Sequence, residues 1–430
     1  MKIGIVSLGC AKNLVDSEFL IGLFSDPYFK YEKDYKKCDA IIINTCGFIE
    51  SAKEESLKAI FDYAKLKKDK LKYLIVTGCL SQRYYEDLKN QLDEVDLFIR
   101  IKDYPIANKL LSNLFNHRIK NKFGYNRKFI NMNHSAYLRI SDGCSNRCAY
   151  CAIPLIRGDN KSVPLDKLYK EAYDLYKKGV KELNIVAQDT TNYGLDLYKK
   201  LSLSKLLKKL DKINFKWIRI LYMYPDEIND ELLDTIKNSK HIIPYFDIPI
   251  QYGNDRLLKL MNRRGSVSSI KKIINKIRNK FENPIIRTTI IVGFPGEDQK
   301  SFKDTLDFIK EIKFDSMGAF IYSREEDTRA YNFKNRVKKS TALNRHNKLM
   351  LTQKRIVDDL MNKKIGHKYE IIVDRYDSEE HINYCRTFES APDDVDYYVL
   401  IPGKKLIIGN LYNAIITHYI DYDFIGKIIK

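Results

Sequence analysis

Short apolar runs rich in β-branched residues recur early in the chain, at 3–8, 40–43 and 73–76, each followed by amphipathic sequence. That alternation predicts buried parallel strands joined by helices, a βαβ sheet, and a further run at 95–99 extends it. Downstream, strand-like runs at 136–140, 183–187, 217–223, 242–248, 285–292 and 318–322 alternate with helix-like stretches such as 165–178 and 301–313. Six βα units predict an open, partial (β/α)6 barrel with its chemistry at the C-terminal ends of the strands. Past residue 367 the period shortens to two. Runs at 370–373, 397–401, 406–408 and 414–419, with Gly403 and Gly409 as turns, predict a small antiparallel β-barrel. The polar, basic stretch 116–133 reads as a linker. The expected fold is therefore α/β in three domains, at 1–125, 134–366 and 367–430.

The eight cysteines are not scattered. Cys10, Cys46 and Cys79 each follow one of the first three predicted strands. In a parallel sheet all strand C-termini lie on one edge, where open α/β sheets bind ligands, so the three thiols are expected to converge on a metal site. Gly9, Gly47 and Gly78 beside them would let the backbone approach a cluster closely. Cys38 precedes its strand and reads as a plain thiol, as does the isolated Cys385. The second set, Cys144, Cys148 and Cys151, is spaced C-x3-C-x2-C just past the first barrel strand. Structural zinc takes four ligands, and no fourth Cys or His lies nearby. Iron–sulfur clusters take thiolates, and three of them leave one iron of a cubane open to a reactant.

Composition narrows the setting. No charged-then-apolar leader opens the sequence and no apolar run of about 18 residues occurs, so the expected location is cytoplasmic with no membrane partner. In a reducing compartment clustered cysteines indicate metal rather than disulfide. The net charge of +19 invites a nucleic-acid reading, but its distribution argues otherwise. Residues 367–430 hold seven Lys and Arg against eleven Asp and Glu, a net of −4, while the rest of the chain carries +23. A barrel that grips RNA should be basic, because phosphate neutralisation dominates RNA affinity. An acidic one suits a basic protein, so RNA is not the expected substrate.

With Tyr150 as its aromatic, C-x3-C-x-aromatic-C resembles the signature of the radical S-adenosylmethionine (SAM) superfamily. Ser7-Leu-Gly-Cys-Ala-Lys-Asn-Leu-Val-Asp-Ser-Glu18, Asn44-Thr-Cys46-Gly and Thr77-Gly-Cys79 resemble the methylthiotransferases within it. The resemblance implies two [4Fe–4S] clusters, one on Cys144, Cys148 and Cys151 that cleaves SAM to a radical, and one on Cys10, Cys46 and Cys79 that holds the sulfur. It also implies an N-terminal methylthiotransferase domain, a central radical SAM barrel and a C-terminal TRAM barrel. Candidate SAM contacts are Tyr150, Gln188 and Asp189 after the second barrel strand, Gln251, Arg263, and the loop Gly293-Phe-Pro-Gly296-Glu297. Arg157 matches the pattern without an assigned role. The acidic stretch 385–396 resembles the branch that methylthiolates the β-carbon of an aspartate in ribosomal protein uS12. That branch uses one SAM as methyl donor and another as radical source, with an electron donor such as flavodoxin. The alternative is a tRNA methylthiotransferase of the MiaB type.

Overall fold

In the computed structural model, which describes residues 1–429, the N-terminal runs become β1 (Lys2–Ser7), β3 (Ala40–Thr45), β4 (Tyr73–Gly78) and β5 (Leu97–Ile99). A two-residue edge strand, β2 (Lys30–Tyr31), completes an all-parallel sheet of order β2-β1-β3-β4-β5. Alternate residues of the central strands feed two cores. Ile3, Ile5, Ile42 and Ile75 pack with Leu20, Leu111 and Phe115, and Ile41, Ile43, Leu74 and Val76 pack with Ile60 and Leu88. Burial on both faces explains why these strands read as continuous apolar runs. Register aligns the strand ends, with Ser7 opposite Asn44, Asn44 opposite Thr77, and Thr45 opposite Gly78.

Two compact units divide the chain. The first is residues 1–131 with 142–161 and 323–332, and the second is 132–141, 162–322 and 333–430. Residues 116–131, read from sequence as a linker, are instead docked on the first unit. Ile119 is buried in its core and Phe123 packs beside it, while Arg127 forms a buried ion pair with Glu18 at 2.6 Å. Few apolar residues suffice there because Ile119 is buried and Phe123 and Ile130 are half-buried against the same core. Residues 323–332 join the same unit through polar contacts. Arg83 Nη1 donates to the buried Glu325 at 2.8 Å, and the Ala330 amide donates to the Ala149 carbonyl at 2.8 Å.

In the second unit, β6 (Ser135–Arg139), β7 (Glu182–Val186), β8 (Trp217–Ile220), β9 (Ile242–Asp247), β10 (Ile285–Val292) and β11 (Ser316–Ile321) form a parallel sheet in sequential order. After the long helix Lys339–Asn362, β12 (Lys368–Asp377), β13 (Ile382–Arg386), β14 (Val399–Pro402), β15 (Leu411–Ile420) and β16 (Asp423–Ile429) close a barrel in the order β12-β13-β14-β16-β15. Two details differ from the sequence expectation. The β14–β16 pair is parallel, so the barrel is not wholly antiparallel. The run 406–408 is no strand, since its amides turn to the side chains of Asn383 and Tyr412. Strand β13 escapes the alternation rule because two of its polar residues, Asn383 and Arg386, are buried on opposite faces.

Arg386 explains its own burial. Its guanidinium bonds Asp374 and reaches Glu182 Oε2 at 2.7 Å, while Arg219 Nη2 holds Glu182 Oε1 at 2.9 Å. His134 Nε2 lies 2.8 Å from Asp374 Oδ1. Glu182 starts β7, so this ion network fastens the barrel to the N-terminal edge of the sheet and leaves the C-terminal edge for chemistry. Burial alone would raise the Glu182 carboxyl, but Arg386 and Arg219 outweigh it and hold it at about 2. A depressed folded value makes this a stabilisation present above about pH 4.3, the unfolded range, and lost as pH falls toward 2. Glu182→Gln removes one charge from a buried network and should cost about 3–5 kcal/mol at neutral pH. Denaturant titration should show that deficit at pH 7 and a smaller one at pH 3.

Candidate functional site

Strand ends deliver the first three cysteines to one edge of the N-terminal sheet. Cys10 caps helix α1 (Ala11–Ile21), Cys46 follows β3, and Cys79 opens helix α2 (Cys79–Arg83) directly after β4. The loops close on one another. Gly9 has φ +85°, and a Cβ there would lie 2.9 Å from the Cβ of Cys46 and 3.1 Å from its sulfur. Gly78, at φ +97°, lies against Asn44 and the Thr45 backbone, where a Cβ would meet oxygens at 2.3 and 2.4 Å. These glycines therefore let loop approach loop. Gly47 does the same against the Leu80 backbone, at 2.8 Å.

Asn13, part of the Ser7–Glu18 motif but without a role assigned from sequence, laces the three loops together. Its Nδ2 donates to the Leu8 carbonyl at 2.9 Å and the Thr45 carbonyl at 3.0 Å, and Cys79 Sγ lies 3.6 Å from its Oδ1. Asn44 Nδ2 in turn donates to the Asn13 carbonyl at 2.8 Å. The Cys46 amide donates to Ser56 Oγ at 3.0 Å.

Cys144, Cys148 and Cys151 belong to the same compact unit. Their loop is a tight structure of its own. The Cys144 amide donates to the Gly158 carbonyl at 3.0 Å and the Cys151 amide to the Cys148 carbonyl at 3.1 Å. Tyr150 is half-buried within it. The helix that follows, α3 (Ile153–Arg157), packs Ile156, together with Ala152, against Cys79 in one small apolar cluster with Phe48 and Ile101. The segment that follows the second trio is thus packed directly on Cys79 of the first.

Arg157 is the ionic counterpart of that contact. Its side chain is 1% exposed. Nη1 donates to both carboxylate oxygens of Asp142 at 3.0 Å, and Nη2 donates to Asn13 Oδ1 at 2.9 Å and Asp16 Oδ2 at 3.0 Å. Burial pushes the Cys79 thiol up to about 12, with Arg157 pulling the other way. At Cys10 desolvation again opposes ionisation, but the charges of Lys12 and Arg157 outweigh it and hold the thiol below its usual range. Burial raises Cys46. A fixed cation beside three thiols suits a ligand set that must be thiolate to bind metal. Among the described residues no three His, Cys, Asp or Glu side chains are gathered for a single metal ion. A thiolate-bound cluster spreads its ligands over separate irons.

Cys38 and Cys385 stand outside both sets. Cys38 lies in the sheet core with its sulfur 3.6 Å from the Asp34 carbonyl, and burial raises its thiol to about 11. Cys385 is buried in the C-terminal barrel, its thiol likewise pushed up to about 12.

The remaining candidates lie in the second unit, beyond the C-terminal ends of its strands. Asp189 directs its carboxylate into its own turn, accepting from the Thr191 and Asn192 amides at 3.1 and 3.3 Å and from Asn192 Nδ2 at 2.7 Å. Thr191 Oγ1 takes the Tyr224 amide at 3.1 Å, and Arg263 stacks over the Tyr224 ring at 3.9 Å. Arg263 Nη2 donates to the Pro249 carbonyl at 2.6 Å, which also receives Gln251 Nε2 at 3.3 Å. One chain of contacts therefore brings Asp189, Arg263 and Gln251 together. Gln188 immediately precedes Asp189 and is half-buried. Glu297 accepts the Gly293 amide at 2.6 Å and Arg345 Nη1 at 2.7 Å, which fixes the Gly293–Gly296 loop. Asp189 and Glu297 thus shape the loops that carry them.

Comparison with known proteins bears on all three regions. The model of the radical SAM superfamily matches residues 138–309, that of uncharacterized protein family UPF0004 residues 2–100, and that of the TRAM domain residues 365–429. The chain is 43% identical to the ribosomal protein uS12 methylthiotransferase RimO of Clostridioides difficile (strain 630), covering 100% of this chain and 99% of that one. It is 44% identical to RimO of Clostridium botulinum (strain Eklund 17B / Type B), over 99% and 98% of the two chains. Among solved structures, the radical SAM methyltransferase TsrM from Kitasatospora setae matches with TM-score 0.55 at 11% identity over 75% of each chain. The cobalamin-dependent radical SAM enzyme OxsB matches with TM-score 0.51 at 11% identity, over 83% of this chain and 56% of that one. At such identity these two structures speak to the fold alone.

Arg157→Ala would strand Asp16, whose side chain is fully buried, and should cost the apoprotein about 3–5 kcal/mol. Arg157→Lys keeps the charge but loses the fork, so its loss should be intermediate. Thermal unfolding of iron-free protein checks both.

Proposed function

The chain belongs to the RimO family of ribosomal protein uS12 methylthiotransferases, and from that membership we propose that Cys10, Cys46 and Cys79 hold one [4Fe–4S] cluster and Cys144, Cys148 and Cys151 the other. The protein is a radical SAM methylthiotransferase that uses SAM and [4Fe–4S] clusters to methylthiolate uS12. The target in this reading is an aspartate β-carbon. The observation that carries the ligand assignment is the junction of the two trios inside one unit, through the Cys79–Ala152–Ile156 packing and the Arg157 fork.

When bound, the clusters and SAM supply the radical and the sulfur. The rest is the work of this chain. The cross-laced strand ends hold three thiols in fixed register, and Asn13 prevents the Cys10 and Cys46 loops from separating. Arg157 offsets the negative charge that thiolate ligation adds to a buried site. The second unit offers a rim of polar groups for SAM. Arg263 is the group with charge to meet a carboxylate, and Gln188 and Gln251 offer amide donors and acceptors. The Gly293–Gly296 loop, held by Glu297, presents backbone for the adenine. Tyr150 sits between two ligands and completes the cysteine loop. No helix among the described residues is long and apolar enough to cross a membrane. A cytoplasmic location and a flavodoxin-type electron donor complete the proposal.

Anaerobic turnover with purified uS12 tests the reading. Mass spectrometry should find one aspartate carrying a methylthio group in place of hydrogen, and modification of tRNA anticodon stem-loops but not of uS12 would reverse the substrate assignment. Cys144→Ala should abolish 5′-deoxyadenosine formation while retaining about four irons per chain. Cys38→Ala and Cys385→Ala should retain the full iron content, and a loss in either would show that the ligand sets are wrong.

A further inference from the structure

Arg157 and Asp16 form a buried ion pair beside the loops that carry Cys10, Cys46 and Cys79. The Arg157 side chain is 1% exposed and that of Asp16 is fully buried, with Nη2 donating to Asp16 Oδ2 at 3.0 Å. Asp142, the other carboxylate on the guanidinium, is 30% exposed, so solvent screens its charge. Next to the thiols, then, stand one buried cation and the one buried anion that partly cancels it.

Asn13 aims the cation at sulfur. Its Nδ2 is tied to the Leu8 and Thr45 carbonyls, so the amide cannot turn and its Oδ1 is fixed in place. That oxygen receives Arg157 Nη2 at 2.9 Å and has Cys79 Sγ at 3.6 Å. The guanidinium and the Cys79 sulfur thus share one acceptor. A thiol can donate to that oxygen, but a metal-bound thiolate has no proton left to give. Its sulfur then calls for a donor, and Arg157 is already beside it, acting on Cys79 both as charge and as hydrogen-bond donor. The charge of Arg157 reaches Cys10 as well.

The cation comes from the segment of the other trio. Arg157 ends the helix α3 that follows Cys151, and residues 142–161 belong to the same compact unit as the N-terminal sheet. The first thiol site is therefore electrostatically complete only with that segment docked.

We propose that Arg157 donates to the Cys79 sulfur of the cluster held by Cys10, Cys46 and Cys79 and raises the reduction potential of that cluster, and that Asp16 sets how much of the cationic charge the cluster feels. Reduction adds a negative charge to a buried site. A neighbouring cation, or a hydrogen bond to a ligand sulfur, stabilises the reduced form more than the oxidised one. The inference rests on the proposed ligand sets and deepens them. The segment that carries one set of cysteines tunes the cluster bound by the other.

Redox titration of Cys144→Ala protein, followed by the electron paramagnetic resonance signal of the reduced cubane, tests this with only the N-terminal cluster present. Arg157→Gln should lower the midpoint, shifting the reduction equilibrium about ten-fold, or about 59 mV for one electron. Arg157→Lys keeps the charge and loses the fork, so its midpoint should fall between. Asp16→Asn leaves the guanidinium unopposed and should raise the midpoint. The opposite signs separate a tuning role from a loosened fold, because water admitted by either substitution would move both midpoints in one direction. Should Arg157→Gln fail to fold, Arg157→Lys and Asp16→Asn still carry the comparison. Glu94→Gln, an exposed acid of the same unit, should leave the midpoint where it is. Shifts of one sign in the Arg157 and Asp16 variants, an equal shift in Glu94→Gln, or no shift in any of them would each overturn the proposal. A Cys144→Ala protein with no reducible cubane would end the ligand assignment and the proposal with it, whereas a cubane whose midpoint never moves ends the proposal alone.

Discussion

Arg157 is the residue on which the first unit turns. A guanidinium with 1% of its side chain exposed can be sustained only where its charge is matched, and here Asp142, Asp16 and Asn13 receive its two terminal nitrogens. The partners come from opposite ends of the unit's sequence. Asn13 and Asp16 lie on the helix that Cys10 caps, and Asp142 precedes Cys144 by two residues. The ionic fork therefore fixes the loop of one trio against the helix of the other. A lysine at the same position would meet one carboxylate as a point charge, and the planar geometry that serves three partners at once would be lost.

The second unit repeats the device for another purpose. Arg386 and Arg219 share Glu182, and Asp374 joins them through Arg386 and His134. This network binds the small barrel to the end of the sheet away from the reaction. The acidic motif near residue 393 takes part in the same attachment, since Asp393 accepts from Tyr137 and Asp396 from Tyr245 and Ser316. Some of the charge that marks the barrel as acidic is thus structural. The remainder, at Asp394, Asp421 and Asp423, lines a cavity of the same unit together with Lys364 and Arg375.

Much of the architecture was legible in the chain because it follows from local periodicity. Buried parallel strands have to read as short continuous apolar runs, and the six βα repeats have to alternate with amphipathic helices. The places where pattern misled have a common cause. Residues 116–131 look like solvent-exposed linker because they are basic, yet a few side chains such as Ile119 and Arg127 are enough to dock them. Strand β13 breaks the alternation because two of its polar residues are buried, Asn383 within the barrel and Arg386 against Glu182 of the six-stranded sheet. In both cases a buried polar group has a specific partner far away in sequence.

The spacing of the cysteines followed from sequence by itself, as did the strand ends from which Cys10, Cys46 and Cys79 depart, because parallel pairing places successive strand C-termini on one edge. Tertiary structure alone decided that residues 142–161 would pack with the N-terminal sheet, and that Arg157 would reach Asn13, 144 residues away. Periodicity specifies which face of an element is buried. It carries no information about which distant carboxylate a buried cation will find, since that choice is made by the geometry of the assembled fold.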